Sequence, residues 1–276
     1  MSLKTIRSLF ILPLFLVVIF AKGQTHFVDK TVVDSLSFAQ VRSVINVLPT
    51  DLFEKHIYKQ GDKELPYRLL LPKNYKKGEK YPLVITLHNS SRIGNDNEKQ
   101  LEHLAKIWTR PEIYSTYNAL VVVPQFNERS SLYDKDANGI LVSKASDDVQ
   151  LVLDLLSELE HDYRIDRAKV YLVGYSMGAS TAQNLMNMAP NKFTGIVSIA
   201  AVPDFSNLTA WKVKRILLVH GEKDTDNPYQ GSEELFAKLK GRKNVTFKTY
   251  TNLNHATITI PFLLNDEIPN WLFKKR

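Results

Sequence analysis

Five short runs of this chain are apolar at nearly every position: residues 81–87 (YPLVITL), 119–123 (ALVVV), 170–174 (VYLVG), 195–200 (GIVSIA) and 215–219 (RILLV). A strand with one wet face alternates polar and apolar residues. Strands without alternation must be covered on both faces. The stretches between the runs carry helical periodicity instead. Residues 146–159 place Val149, Val152, Leu156 and Leu159 on one face, with Asp147 and Asp148 at the start, where carboxylates favour the helix dipole. Further helices are expected over residues 98–108, 178–188, near 231–239 and around 268–273, and a last strand over 245–250. Strands alternating with helices build a parallel sheet with helices on both faces. Residues 54–59 and 65–71 form two more strands joined by Gln60-Gly61-Asp62-Lys63, an antiparallel hairpin that leads into the sheet. The expected fold class is therefore a single α/β domain over residues 52–276, with a mostly parallel central sheet.

The N-terminus stands apart from that domain. Lys4 and Arg7 precede an apolar run over residues 9–21, and Ala21-Lys22-Gly23 offers small residues where a signal peptidase reads. A run of that length falls short of the about 20 residues that span a bilayer. Residues 1–23 thus read as a signal peptide, with an uncleaved anchor as the competing reading. Residues 24–51 form a prefix with one amphipathic stretch, 37–48, and no legible role. The chain holds no cysteine, so no disulfide supports it outside the cytoplasm. Its formal charge of +7 comes partly from the signal segment, without which 33 basic residues face 29 acidic ones. The basic residues are scattered, so no nucleic-acid surface is indicated, and no membrane insertion is expected once the signal is removed.

The chemistry is concentrated at Gly174-Tyr175-Ser176-Met177-Gly178. A serine hydroxyl becomes a nucleophile only when a base takes its proton and the oxygen faces the substrate. A sharp strand-to-helix turn provides that exposure, and flanking glycines relieve the crowding. The preceding strand and the following helix supply the setting this motif needs. Only His220 and His255 follow Ser176 in the chain. His220 ends a strand directly, whereas His255 sits in a polar loop after the last strand, from which a base can reach over the sheet. His255 is the stronger candidate. Asp224, just beyond the strand at 215–219, is the carboxylate best placed to orient it, with Glu222, Asp226 and Asp204 as competitors. The amide of Met177 is one donor for the developing oxyanion, and the second is expected from the loop His88-Asn89-Ser90-Ser91. His88 reads as a structural hydrogen-bonder of that loop, and His56, His103 and His161 as helix-facing or core residues. Gln125, Phe126, Leu132 and Tyr133 lie in a loop at the sheet's carboxyl edge, where ligands bind. Of these Gln125 and Tyr133, together with Tyr175, are candidate substrate contacts. Trp108 and Tyr229 carry a weaker claim.

These segments resemble the α/β-hydrolase superfamily, in the group of phospholipase/carboxylesterase-like, dienelactone-hydrolase-like and prolyl-oligopeptidase-like exported esterases. The resemblance runs from about residue 52 to 276 through LPYRLLLP, YPLVITLH, VVVPQ, DYRIDRAKVYLVGYSMGA, HGEKD and NWLFKKR. It implies a serine–acid–histidine set at Ser176, Asp224 and His255, a structural role for Asp166, and the second oxyanion donor at Ser90 N–H. It also implies His-Gly-x-Gly where this chain has His88-Asn89-Ser90-Ser91. Asn89 tolerates a left-handed backbone in place of glycine; Ser91 does so less readily.

The expected function is hydrolysis of a small or carbohydrate-linked (acetyl or feruloyl) ester, without metal or organic cofactor. Peptidase, lipase and non-catalytic binding-protein readings compete with it. The oligomeric state is not legible.

Overall fold

A computed structural model describes residues 23–212 and 214–274. The expected signal peptide, apart from Gly23, lies outside the described residues. The strands are β1 (Thr25–Asp29), β2 (Phe53–Gln60), β3 (Lys63–Leu70), β4 (Tyr81–Leu87), β5 (Leu120–Pro124), β6 (Ser131–Lys135), β7 (Leu141–Ala145), β8 (Ile165–Tyr175), β9 (Gly195–Ile199), β10 (Arg215–Gly221) and β11 (Val245–Tyr250). The helices are α1 (Ser35–Asn46), α2 (His103–Lys106), α3 (Pro111–Thr116), α4 (Gln150–Asp162), α5 (Met177–Met188), α6 (Tyr229–Lys238), α7 (Ile260–Leu263) and α8 (Glu267–Phe273).

Nine strands make one sheet in the order β1-β11-β10-β9-β8-β4-β5-β3-β2. Pairing is parallel from β1 to β5, and the β2–β3 hairpin attaches antiparallel to β5. The apolar runs occupy its middle, and the absence of alternation has its structural counterpart in two cores. One is built with Leu155, Leu156, Leu185 and Leu235 from α4, α5 and α6. The other uses Leu104, Ile113, Phe262 and Leu272 from α2, α3, α7 and α8. This is the α/β-hydrolase fold, with its mostly parallel sheet covered on both faces. Strands β4, β8, β10 and β11 deliver their following loops to the same edge, the carboxyl edge where such folds bind ligands.

Several elements differ from expectation. Residues 98–102 are not helical; only α2 and a 3₁₀ turn over Ile107–Thr109 are. Side chains take over the backbone groups there: Asp96 Oδ1 accepts from the amides of Glu98 and Lys99, at 2.9 and 3.0 Å, and Arg68 Nε donates to the Asn97 carbonyl at 2.6 Å. Such local bonds compete with the helix ladder. Leu132 and Tyr133 belong to the β6–β7 hairpin rather than to a loop. His161 is neither core nor helix-facing, because its side chain is 89% exposed.

The prefix acquires a structural place. β1 extends the sheet by parallel pairing with β11, from Thr25 opposite Thr246 to Asp29 opposite Tyr250. Asp34 then caps α1, its carboxylate accepting from the Ser37 amide at 2.7 Å, a bond that secures one of the helix's unpaired donors. Ile45 is fully buried in the second core, and Phe38 packs against it.

Candidate active site

β8 and α5 meet at Ser176, whose backbone adopts φ 57° and ψ −125°. A non-glycine residue rarely occupies this region, so the turn is strained. Close packing on both sides maintains it. A Cβ on Gly174 would lie 2.3 Å from the Gly178 carbonyl oxygen, and a Cβ on Gly178 would lie 2.1 Å from the Leu87 carbonyl oxygen at the end of β4. The Ser176 amide donates to the Ile199 carbonyl at 2.9 Å. The two glycines thus let strand end, helix start and the neighbouring strand touch through backbone alone.

His255 Nε2 lies 2.8 Å from Ser176 Oγ, and His255 Nδ1 lies 2.7 Å from Asp224 Oδ2. Asp224 Oδ1 accepts from the amides of Asp226 and Asn227 at 3.0 and 2.9 Å. Burial raises the Asp224 pKa, but hydrogen bonds from His220, His255 and the Asn227 amide outweigh it and hold the carboxyl well below the usual range. An ionised Asp224 fixes the proton of His255 on Nδ1 and leaves Nε2 to accept from the serine. Tyr175 supports the same loop: its hydroxyl donates to the His255 carbonyl at 2.8 Å. None of the competing carboxylates hydrogen-bonds to His255. Asp204 accepts from Asn184 Nδ2 at 2.8 Å and from the Ser206 amide, while Glu222 is exposed. Asp226 lines the cleft.

Three residues have supporting roles that the sequence does not show. A Cβ on Gly221 would lie 2.1 Å from the Leu253 carbonyl oxygen, so this glycine lets the acid loop and the histidine loop close on each other. Asn227 Nδ2 donates to the Ala200 carbonyl at 2.7 Å, anchoring the acid loop to the end of β9. His220, wholly buried, places Nε2 at 2.9 Å from the Asn227 carbonyl and 3.3 Å from Asp224 Oδ2, with Ser232 Oγ at 2.7 Å from its Nδ1. The glycine after a strand-ending histidine was the signal that could have found Gly221; the partners of His220 lie within 12 residues but follow no recognised pattern, and Asn227 reaches Ala200, 27 residues away.

Met177 opens α5 and Ser90 opens a 3₁₀ turn over Ser90–Arg92, positions whose amides have no acceptor within their own helix. Ser90 lines the same cleft as Ser176. The left-handed backbone expected at Asn89 does not occur. Asn89 is extended, with φ −77° and ψ 170°, and neither Ser90 nor Ser91 has positive φ. Asn89 instead caps the turn, accepting from the Ser91 amide at 2.8 Å, and its own amide donates to Glu102 Oε1 at 3.2 Å. Its Nδ2 donates to Glu102 Oε2. The loop is thus held by side chains rather than by glycine. His88 completes it: Nδ1 sits 2.8 Å from the Asn89 carbonyl, and Nε2 accepts from the Phe126 amide at 3.0 Å. Burial pushes its pKa down to about 4, so it stays neutral and structural.

Glu102 carries a consequence for stability. Burial pushes its pKa from 4.5 up to about 7, against the pull of Arg92 and the Asn89 hydrogen bonds. The native state therefore takes up a proton that the unfolded chain has already lost. This advantage is complete below about pH 4.5 and disappears as pH rises through about 7. Urea melts should show wild type losing stability relative to Glu102→Gln between about pH 5 and about pH 8. A difference that stays flat across that range contradicts the assignment.

The cleft has a volume of about 620 Å³, within the usual range for small-ligand sites. Tyr175 and Tyr133 line it. The Tyr133 hydroxyl is 3.1 Å from Ser180 Oγ, and the Arg129 guanidinium stacks 4.9 Å from its ring centre. Gln125 does not reach the cleft. It is fully buried, accepting from the Asn97 amide at 2.6 Å and donating to Asp96 and to the Arg92 carbonyl, and so shapes the loop behind the site. Trp108 is a core residue beside Phe273, and Tyr229 packs between His220 and Phe247.

Known proteins show the same architecture. The profile of the esterase family matches residues 60–258. The bifunctional acetylxylan esterase/xylanase XynS20E of Neocallimastix patriciarum is 23% identical over 174 residues, which are 63% of this chain and 24% of that protein. The chain therefore spans about a quarter of that curated relative. A thermostable esterase superposes with a TM-score of 0.71 at 28% identity, over 81% of this chain and 63% of that one. The feruloyl esterase module from Clostridium thermocellum, at 12% identity, gives 0.59 over 85% and 90%. The Pyrococcus horikoshii acylaminoacyl peptidase, at 16%, gives 0.54 over 83% and 41%. The last two share the fold. With the family profile covering most of its length, this chain belongs to the esterase family of α/β-hydrolase fold.

Proposed function

We propose that the protein hydrolyses carboxylic esters through an acyl-enzyme on Ser176, with carbohydrate-linked acetyl or feruloyl esters as its substrate class. The observation that carries this reading is the continuous hydrogen-bond chain from Ser176 Oγ through His255 to Asp224, at 2.8 and 2.7 Å, starting from a strained turn that lines the cleft. His255 Nε2 takes the hydroxyl proton as Oγ bonds to the carbonyl carbon, and the carbonyl electron pair moves onto oxygen. The amides of Met177 and Ser90 hold that oxyanion, and Asp224 stabilises the imidazolium. Collapse expels the alcohol, which receives the proton from His255. Water then repeats the sequence on the acyl-enzyme and releases the acid. No metal or organic cofactor enters any step.

The substrate class draws support from the acetylxylan and feruloyl esterases among the similar proteins. Export, to the periplasm or beyond the cell, is read from the basic and apolar pattern of residues 1–23. No helix among the described residues is long and apolar enough to cross a membrane. Assaying p-nitrophenyl acetate and a feruloyl sugar ester beside a peptide anilide tests the reading: the esters should turn over and the anilide should not. Preferential anilide cleavage favours the peptidase instead.

A further inference from the structure

The cleft is cationic on the side of the prefix helix. Arg42 from α1 and Arg92 from the loop after β4 line it together with Ser90, His103 and Ser176. Neither guanidinium is neutralised at hydrogen-bond distance. Arg92 Nε is buried without a hydrogen-bond partner among the described residues, and its nearest carboxylate oxygen, Glu102 Oε2, is 4.0 Å away. Both oxygens of Glu102 are taken by Asn89. Arg42 lies 5.4 Å from the Phe38 ring centre and forms no ion pair among the described residues. Lys106, whose Nζ donates to the Asn46 carbonyl at 2.9 Å, and His103 add no negative charge nearby. Asp226, the other acid lining the cleft, is exposed and belongs to the loop that carries Asp224.

Arg42 and Arg92 share a single carboxylate, that of Glu102, which lies 4.0 Å from Arg92 Nε, so this side of the cleft keeps a net positive charge beside Ser176 that serves a ligand bringing its own anion. Planar guanidinium forks match carboxylates, and the half-buried setting strengthens the attraction. Resting on the esterase reading above, we infer that the cleft selects esters carrying a free carboxylate, which Arg42 and Arg92 bind while the ester carbonyl lies at Ser176. The carboxylate can sit on the acyl part, as in a hemiester of a dicarboxylic acid, or on the alcohol part, as in an acylated uronic acid. The prefix helix thereby becomes part of the substrate site through Arg42.

The test compares kcat/KM within two matched pairs at low salt. These are p-nitrophenyl hemiglutarate against p-nitrophenyl valerate, and acetylated methyl glucuronoside against acetylated methyl glucoside. The charged member of at least one pair should be preferred about tenfold or more, and Arg42→Gln and Arg92→Gln should each reduce that ratio about tenfold, mainly through KM. The pair that responds identifies which half of the ester carries the anion. Equal rates within both pairs, or ratios that survive both substitutions, overturn the inference. If no ester is hydrolysed at all, the esterase reading fails separately. Calorimetric titration with glutarate and with methyl glucuronoside then decides the anion site: binding that weakens in Arg42→Gln upholds it, and no binding overturns it.

Discussion

Replacing Ser176 with alanine should lower kcat on p-nitrophenyl acetate by about 10⁴-fold or more, with the fold unchanged. The substitution removes one oxygen from an 8% exposed residue and leaves the backbone of the turn in place. What disappears is the covalent route, so only oxyanion stabilisation and binding remain. Asp224→Asn should cost about 10⁴-fold as well, for a different reason. An asparagine can present its amide N–H to His255 Nδ1, which places the histidine proton on Nε2, so that Nε2 donates to Ser176 Oγ and cannot accept its proton. Because Asp224 also accepts from Asp226 and Asn227, the loop should stay ordered and the loss should appear in kcat. Double substitution of Ser176 and Asp224 should add little to the single losses, because the residues act as one unit. Independent, multiplicative losses would contradict the hydrogen-bond chain as the origin of activity.

The second large effect is on folding. Gly178→Val should destabilise the protein by more than about 3 kcal/mol and abolish esterase activity. The new Cβ would meet the carbonyl oxygens of Leu87 and His88 at 2.1 and 2.7 Å. These are backbone atoms at and just beyond the end of β4, so they cannot swing aside as a side chain could. Relief requires α5 to move away from β4, which opens the core and displaces both the nucleophile and the Met177 amide. Thermal melts and soluble yield check this directly; a variant that melts with wild type would show that the helix start has slack the structure does not display.

How much of this was legible depends on the range of the interactions. The continuous apolar strands and the GYSMG turn are local patterns, and the sheet, the hairpin and the strand-to-helix turn at Ser176 follow from them. His255 and Asp224 were reachable because the chain order and the strand ends left few candidates. Residues 98–102 were misread because Leu101 and Leu104 suit a helix, while the bonds that prevent it come from Asp96, Asp96's neighbours and Arg68. β1 stayed hidden because its residues are mostly exposed on an edge, so it carries no apolar run. The loop at Asn89 was misjudged since sequence comparison suggested a glycine-like backbone, whereas a distant buried carboxylate, Glu102, holds it extended.

Activation of the Ser176 hydroxyl by His255 is the step on which the proposed mechanism rests. It is tested most directly by treating the protein with a fluorophosphonate and locating the adduct by peptide mass spectrometry. The predicted result is a single adduct on Ser176 that forms rapidly in wild type, is absent in Ser176→Ala and slows by orders of magnitude in His255→Ala. A labelling rate indifferent to His255, or an adduct on another serine with Ser176 unmodified, would contradict it.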